Sequence, residues 1–129
     1  MTFVDTNYWL RYLIEPRSKQ GRVATDFFTL AATGKAQLAS SSVVFFEIYF
    51  VLHSVYNLRA RKLQEALISI FLLDCVYWPD KQLLQEAVFL MDEFSHDLED
   101  AYNFLWAKHA GCEEMATFDR KLSRKWLAA

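Results

Sequence analysis

Short apolar segments alternate with helical segments along the chain, and this alternation constrains the fold more than any other feature. The predicted strands are Thr2–Val4, Ala36–Ser40, Cys75–Trp78 and Met115–Phe118. The connections between them carry apolar residues at helical spacing and are too long for hairpins. Strands joined in this way form a parallel sheet with helices on both faces. The sequence therefore predicts an α/β fold of three layers.

Capping and breaking residues set the ends of the predicted helices. The first begins after Asp5-Thr6-Asn7 and ends before Pro16, and the second runs from Ser18 to Gly34. The segment Val43–Tyr56 is apolar nearly all round, so we expect a deeply buried helix there. The remaining predicted helices are Arg59–Leu73, Asp80–Phe94, Asp97–Ala110 and Asp119–Leu127.

Length and composition indicate one domain over residues 1–129. This is the typical size of a single domain, and 53% apolar with 23% charged residues excludes disordered and low-complexity classes. The 2 cysteines form no CxxC or zinc-ligand pattern, and no signal sequence opens the chain, so we expect a cytoplasmic protein. The apolar stretch Val43–Leu52 is too short to span a membrane, and Glu47 interrupts it.

Two aspartates directly follow predicted strands. Asp5 comes after Phe3-Val4, and Asp119 comes after Thr117-Phe118. Because ligands bind at the carboxyl ends of parallel strands, both acids are candidates for a site at one sheet edge. Each also has the ordinary role of a helix N-cap, and either acid alone is weak support for a site.

Glu47 lies in the middle of an apolar helical face. Val43, Val44, Phe50 and Val51 stand three and four positions away on either side. A buried carboxylate must be neutral, paired or bound to a cation, because its isolated burial costs several kcal/mol or more. We therefore expect a site role for Glu47, with a core ion pair or a solvent-reaching helix edge as the alternatives.

Asp97, Glu99 and Asp100 form an acidic first helical turn. Acidic residues are favoured there by the helix dipole, which explains much of the cluster. Asp97 and Asp100 are three residues apart and share one helix face, so we expect at least one to point toward the sheet edge.

Four segments together resemble the acidic motifs of PIN-domain ribonucleases, a family that includes VapC-type toxins. The order and spacing of the acids match over nearly the whole chain. The segments are Phe3-Val4-Asp5-Thr6-Asn7, Phe45-Phe46-Glu47-Ile48, Asp97-Leu98-Glu99-Asp100-Ala101 and Thr117-Phe118-Asp119-Arg120-Lys121.

The resemblance implies a PIN-like sheet of four or five parallel strands and a set of site residues. The third family acid is normally followed by Ala, which selects Asp100 over Asp97. The implied catalytic and metal-binding acids are Asp5, Glu47, Asp100 and Asp119, and the implied auxiliary residues are Asp97, Thr6, Asn7 and Thr117. The chain ends with little room for a fifth strand.

An acidic quartet needs a cation, because like charges about 4 Å apart repel by roughly 4 kcal/mol at an effective dielectric of 20. An all-oxygen set suits Mg²⁺ or Mn²⁺, as one or two ions, better than Zn²⁺. Bound metal would activate water and stabilise charge on a phosphodiester. By resemblance, the reaction is hydrolysis of single-stranded or structured RNA, with a 5′-phosphate product.

The net charge of −2 permits an RNA substrate. Without the four quartet acids, 12 acidic residues stand against 14 basic ones. Two basic groups, Arg11, Arg17, Lys19 and Arg22, and Arg120, Lys121, Arg124 and Lys125, follow the first and last acids and either edge a groove or form ordinary solvated faces.

Three functions are compatible with these patterns. The first is the toxin of a type II toxin–antitoxin pair, with a homodimer and a small antitoxin as partners suggested by the many aromatic residues. The second is a PIN-like RNA-processing nuclease that is not a toxin. The third is a non-catalytic α/β interaction module whose acids only cap helices, a role that would leave Glu47 unexplained.

Overall fold

Three short strands form a parallel sheet in the computed structural model, which describes residues 1–129. They are β1 (Thr2–Phe3), β2 (Leu38–Ala39) and β3 (Val76–Tyr77), and they lie side by side in that order. All belong to a first compact unit, Met1–Lys81, while Gln82–Ala129 forms a second. The predicted α/β class with a parallel sheet is confirmed, but the sheet has three strands rather than four or five.

Seven α-helices follow the predicted order, with ends that differ by a few residues. They are α1 (Thr6–Ile14), α2 (Lys19–Leu30), α3 (Ser42–Ser54), α4 (Ala60–Ser69), α5 (Lys81–Leu90), α6 (Leu98–His109) and α7 (Arg120–Ala128). A π-helical turn, Ala31–Lys35, follows α2, and 3₁₀ turns, Ile70–Leu72 and Met91–Phe94, follow α4 and α5. No helix is long and apolar enough to cross a membrane.

Local capping explains why these helices start and stop where they do. The Ser18 and Ser41 hydroxyls accept the N–H groups of Gly21 and Val44 at 3.0 and 3.2 Å. Gly34 has φ +84°, a left-handed conformation that a glycine adopts without a steric penalty. These are short-range signals, which is why the sequence pattern locates them.

The predicted fourth strand, Met115–Phe118, is not a strand in the structure. Side chains satisfy backbone groups around this segment. The Trp126 indole donates to the Glu113 carbonyl at 3.3 Å, and the Asp119 N–H donates to the Thr117 hydroxyl at 3.0 Å. Phe118 is fully exposed, so its apolar side chain does not pack into the core to hold this segment in place.

The core of the first unit lies against one face of the sheet. Leu38 and Val76 occupy neighbouring positions on this face and are buried, whereas Phe3 and Tyr77 on the alternate face are 59% and 62% exposed. Helix α1 packs against α2 and α3, and α3 packs against α4. Trp9 lies 4.4 Å from Phe28 and 5.4 Å from Trp78 between ring centroids, so aromatic contacts join α1, α2 and the end of β3.

Helix α3 is buried on one side only, contrary to the expectation of deep burial. Phe45, Ile48 and Leu52 are inaccessible to solvent, but Val43 and Phe50 are 67% and 57% exposed. The core needs only one face of the helix. The apolar residues on the other face form an unpartnered surface.

In the second unit, α6 packs with α7 and with the Met91–Phe94 turn. Leu98 and Ala101 of α6 are buried, as are Leu122 and Trp126 of α7. Phe104 and Trp126 meet edge to face at 5.7 Å, and the Lys108 ammonium lies 3.8 Å from the Trp126 ring centroid. These contacts join the C-terminal halves of α6 and α7.

We predict that Gly21→Ala strongly destabilises the first unit. Gly21 is buried, and an added Cβ would overlap the Glu15 carbonyl oxygen, which is backbone and cannot move aside. The expected loss in unfolding free energy is about 3 kcal/mol or more. Gly34→Ala is the matched control: nothing lies within 4 Å of its added Cβ, so only the cost of positive φ remains, about 1 kcal/mol. Urea unfolding of both variants checks this order, and equal losses would contradict it.

Candidate functional site

A buried hydrogen-bond relay fixes the end of β1, where the first site acid stands. The Ser40 hydroxyl, directly after β2, donates to the Val4 carbonyl at 2.8 Å and accepts the Trp9 indole N–H at 3.0 Å. The Val4 N–H donates to the Ala39 carbonyl at 2.8 Å. Val4 is therefore held at both polar groups, and the chain leaves the sheet in a defined direction at Asp5.

Asp5 caps α1 and remains exposed to solvent. Its Oδ1 accepts the Thr6 N–H at 2.8 Å. It lines a cleft of about 270 Å³ together with Phe3, Asn7, Tyr8 and Phe27. Asp5 thus combines the ordinary N-cap role with access to an open cleft, as the position after a parallel strand predicts.

Three other predicted acids come together in the second unit. Asp97 caps α6 through the Asp100 N–H at 2.9 Å, and Asp119 caps α7 through the Leu122 N–H at 3.0 Å. Asp97 and Asp119 are exposed, while Asp100 is half-buried. The carboxylates therefore gather around the N-terminal ends of two helices that pack together.

The pKa of Asp100 is raised above its usual value. Partial burial is the largest cause, followed by the negative charges of Asp97, Asp119 and Glu99. Asp119 is distant in sequence from the other acids, so its effect on Asp100 reports that the fold brings them into electrostatic reach. A cation at this place would relieve the repulsion.

Glu47 is exposed, which corrects the expectation that it lies in a dry core. It shares the outer face of α3 with the exposed Val43 and Phe50, so apolar neighbours do not bury it. The environment of Glu47 therefore gives no support for a site role, and only the family resemblance supports one.

The predicted auxiliary residues have different surroundings. Thr6 is 8% exposed, and its hydroxyl has no hydrogen-bond partner. Thr117 holds the backbone of Asp119 through its hydroxyl, and it is thus a support for that acid. Asn7 is exposed and lines the cleft beside Asp5.

The chemistry of the donor set fits a hard divalent cation. Asp5, Glu47, Asp100 and Asp119 offer only carboxylate oxygens, and Thr6 offers an orphaned buried hydroxyl. A bound cation would stabilise the negative charges of Asp97, Asp119 and Glu99 that act on Asp100. The structure forms no group of three or more His, Cys, Asp or Glu side chains that could hold a metal ion.

A second cleft adjoins the first and was not found by sequence reasoning. It measures about 210 Å³, shares Asn7 and Tyr8 with the first cleft and continues to Arg11 and Gln20. The sequence identifies Arg11 only as one of several basic residues that follow the first acid. The helical spacing of Asn7, Tyr8 and Arg11 puts them on one face of α1, but it does not indicate which part of α2 lies opposite.

Comparisons with known proteins point to one family. The PIN domain family model matches residues 2–125. A comparison with curated proteins finds no match. Among solved structures, the chain is similar to the VapC20 toxin of Mycobacterium tuberculosis, described as cleaving the sarcin–ricin loop, with 21% identity and a TM-score of 0.44. The alignment covers 97% of this chain and 95% of that one.

We predict that Asp100→Asn stabilises the metal-free protein at neutral pH. The folded-state pKa of Asp100 lies above that of the unfolded chain, so unfolding free energy falls as pH rises through the interval between them. The amide removes this cost. Since Asp100 is only half-buried, the gain should be roughly 0.5 kcal/mol, and it should vanish in acid, below the ordinary aspartate pKa of about 3.9.

Urea unfolding in EDTA across this pH range measures the effect. Glu114→Gln is the matched control, because Glu114 is an exposed acid of the same unit that does not act on Asp100. A variant less stable than the parent at neutral pH would contradict the repulsion argument.

Proposed function

Because the chain belongs to the PIN domain family, we propose that it is a metal-dependent endoribonuclease that hydrolyses phosphodiester bonds of single-stranded RNA. The observation that carries the proposal is the gathering of Asp97, Asp100 and Asp119 at two helix N-termini, within a chain matched to the family over residues 2–125. An interaction module has no need for acids that repel one another in this way.

Asp5, Glu47, Asp100 and Asp119 would hold the cation, with Asp97 as an auxiliary acid. Their oxygen-only chemistry supports Mg²⁺ or Mn²⁺, as one or two ions. When bound, the cation would stabilise negative charge on the phosphodiester and lower the pKa of water. Thr6, Asn7 and Thr117 would orient these acids, and the Thr117 contact to the Asp119 backbone supports that role.

The chain's own groups would also bind the RNA. The N-terminal ends of α1, α6 and α7 present the positive ends of helix dipoles, which favour a phosphate anion. Burial and the negative charges of Asp97, Asp119 and Glu99 raise the pKa of Asp100, and a cation bound by Asp100 would relieve that repulsion.

We predict that Asp5→Asn, Glu47→Gln, Asp100→Asn and Asp119→Asn each lower Mn²⁺-dependent RNA cleavage about 100-fold or more, the size expected for lost electrostatic stabilisation. Each should also weaken Mn²⁺ binding measured by titration calorimetry. Asp26→Asn and Glu114→Gln are controls, since both replace exposed acids of the same two units.

Unchanged cleavage and metal binding in the quartet variants would contradict the assignment. Glu47→Gln is the most informative, because the exposure of Glu47 offers no other reason for an effect.

For the biological role, we propose the toxin of a type II toxin–antitoxin pair that acts in the cytoplasm. The exposed apolar face of α3, with Val43 and Phe50, supports a protein partner, either a second copy of the chain or a small antitoxin. A non-toxin RNA-processing nuclease is the alternative within the same chemistry. The N-cap contacts of Asp5, Asp97 and Asp119 favour a second candidate, a non-catalytic interaction module.

We predict that expression of the chain alone arrests growth of the host cell, because an unopposed ribonuclease depletes essential RNA. Co-expression of a small protein encoded directly upstream should restore growth, and Asp119→Asn should be harmless at equal protein levels. Normal growth with the intact chain at high level, together with cleavage in vitro, would favour the processing nuclease. Arrest by Asp119→Asn would contradict both nuclease roles.

A further inference from the structure

The two adjoining clefts form a continuous groove between α1 and α2. The proposed metal site gives this groove no role. We define the α1–α2 groove by Asp5, Asn7, Tyr8, Arg11, Gln20 and Phe27. It begins at Asp5 and runs along the outer face of α1. Its parts measure about 270 and 210 Å³, below the roughly 300–1,000 Å³ of sites that enclose drug-sized ligands. Each part suits a single planar ring.

The groove offers an aromatic platform of fixed geometry. Tyr8 is 39% exposed, and its ring meets Phe27 edge to face at 5.3 Å. Phe27 in turn contacts the buried Phe28 at 5.5 Å, which anchors the pair to the core. A ring held at its edge and open to solvent can stack on a nucleobase without losing much conformational freedom.

The guanidinium of Arg11 lies at the far end of the groove, and contacts with neighbouring side chains orient it. Arg11 donates from Nε to the Gln20 side-chain oxygen at 2.8 Å, and its Nη1 lies 3.5 Å from Glu15 Oε1. These contacts orient the guanidinium, which also interacts with the Tyr56 hydroxyl. Residues 5–27, which span the groove, carry four basic side chains and three acidic ones. Arg11 is the basic side chain that lines the groove, so its guanidinium is the group that would contact a phosphate.

We propose that the α1–α2 groove binds the nucleotide next to the scissile phosphate of a single-stranded nucleic acid. Tyr8 stacks on the base, and Arg11 contacts the phosphate that follows it. A base paired in a duplex keeps both faces stacked on its neighbours, so this contact selects unpaired nucleotides. The inference rests on the proposed function for the position of the scissile bond, but not for the binding itself.

The test is fluorescence anisotropy of a short labelled oligouridine with the full chain in EDTA, where no hydrolysis is expected. Tyr8→Ala should weaken binding about tenfold, the size of one lost base stack, whereas Tyr8→Phe keeps the ring and should bind as the parent does. Phe89→Ala is the control, since Phe89 is 63% exposed and lies outside the groove. Thermal unfolding of each variant identifies any loss of fold.

Two further measurements separate stacking from a structural effect. An oligonucleotide of the same length without bases should bind the parent and Tyr8→Ala equally. Arg11→Gln should reduce the slope of log Kd against log salt by about 0.7, the value for one phosphate contact on a single strand. A structural role for either side chain would not produce these differences.

Failure of this inference is distinguishable from failure of the nuclease function. If the parent cleaves RNA but Tyr8→Ala binds oligouridine and cleaves as well as the parent, the groove assignment is wrong and the groove belongs to another ligand, such as a protein segment. If the parent binds oligouridine through Tyr8 but does not cleave it with Mn²⁺, the groove assignment stands and the catalytic one fails.

Discussion

The Ser40 hydroxyl is the contact on which the position of Asp5 depends. It is 3% exposed and links the end of β2 to the Val4 carbonyl at the end of β1 and to Trp9 of helix α1, which lie 36 and 31 residues earlier in the chain. Without it, the Val4 carbonyl and the Trp9 indole would both lose a buried hydrogen bond, at about 1–3 kcal/mol each. Because the strands are only two residues long, the sheet ladder alone gives little directional control. The hydrogen bonds of Ser40 and the ring contacts of Trp9 fix the direction in which the chain leaves β1. Asp5 is the next residue after Val4.

A carboxylate that caps a helix can still take part in the proposed metal site. A capping carboxylate uses one oxygen for a backbone N–H, which stabilises a helix by about 1 kcal/mol, and leaves the second oxygen available. Asp97 and Asp119 cap α6 and α7 in this way. Asp100 receives their repulsion without capping a helix itself, since only its backbone N–H takes part. Local helix stability thus offsets the cost of keeping three carboxylates near one another.

Sequence reasoning succeeded where the signal was local. The caps at Ser18 and Asp119 and the positive φ of Gly34 depend on residues within one turn, so they could be located to within a residue or two. Glu47 shows the limit of periodicity, which identifies the residues that share a helix face but not whether another element covers that face. Met115–Phe118 shows a second limit, because pairing of a strand depends on a partner that its own sequence does not specify.

The groove between α1 and α2 shows a third limit of reasoning from the sequence. Tyr8 and Phe27, and likewise Arg11 and Gln20, are brought together only by the packing of two helices. The net charge of −2 averages over the whole chain, whereas Asp97, Asp100 and Asp119 stand at the starts of two helices and Arg11 lines the groove. Screening over about 8–10 Å at physiological salt makes the local charge, not the total, decide what a phosphate backbone encounters.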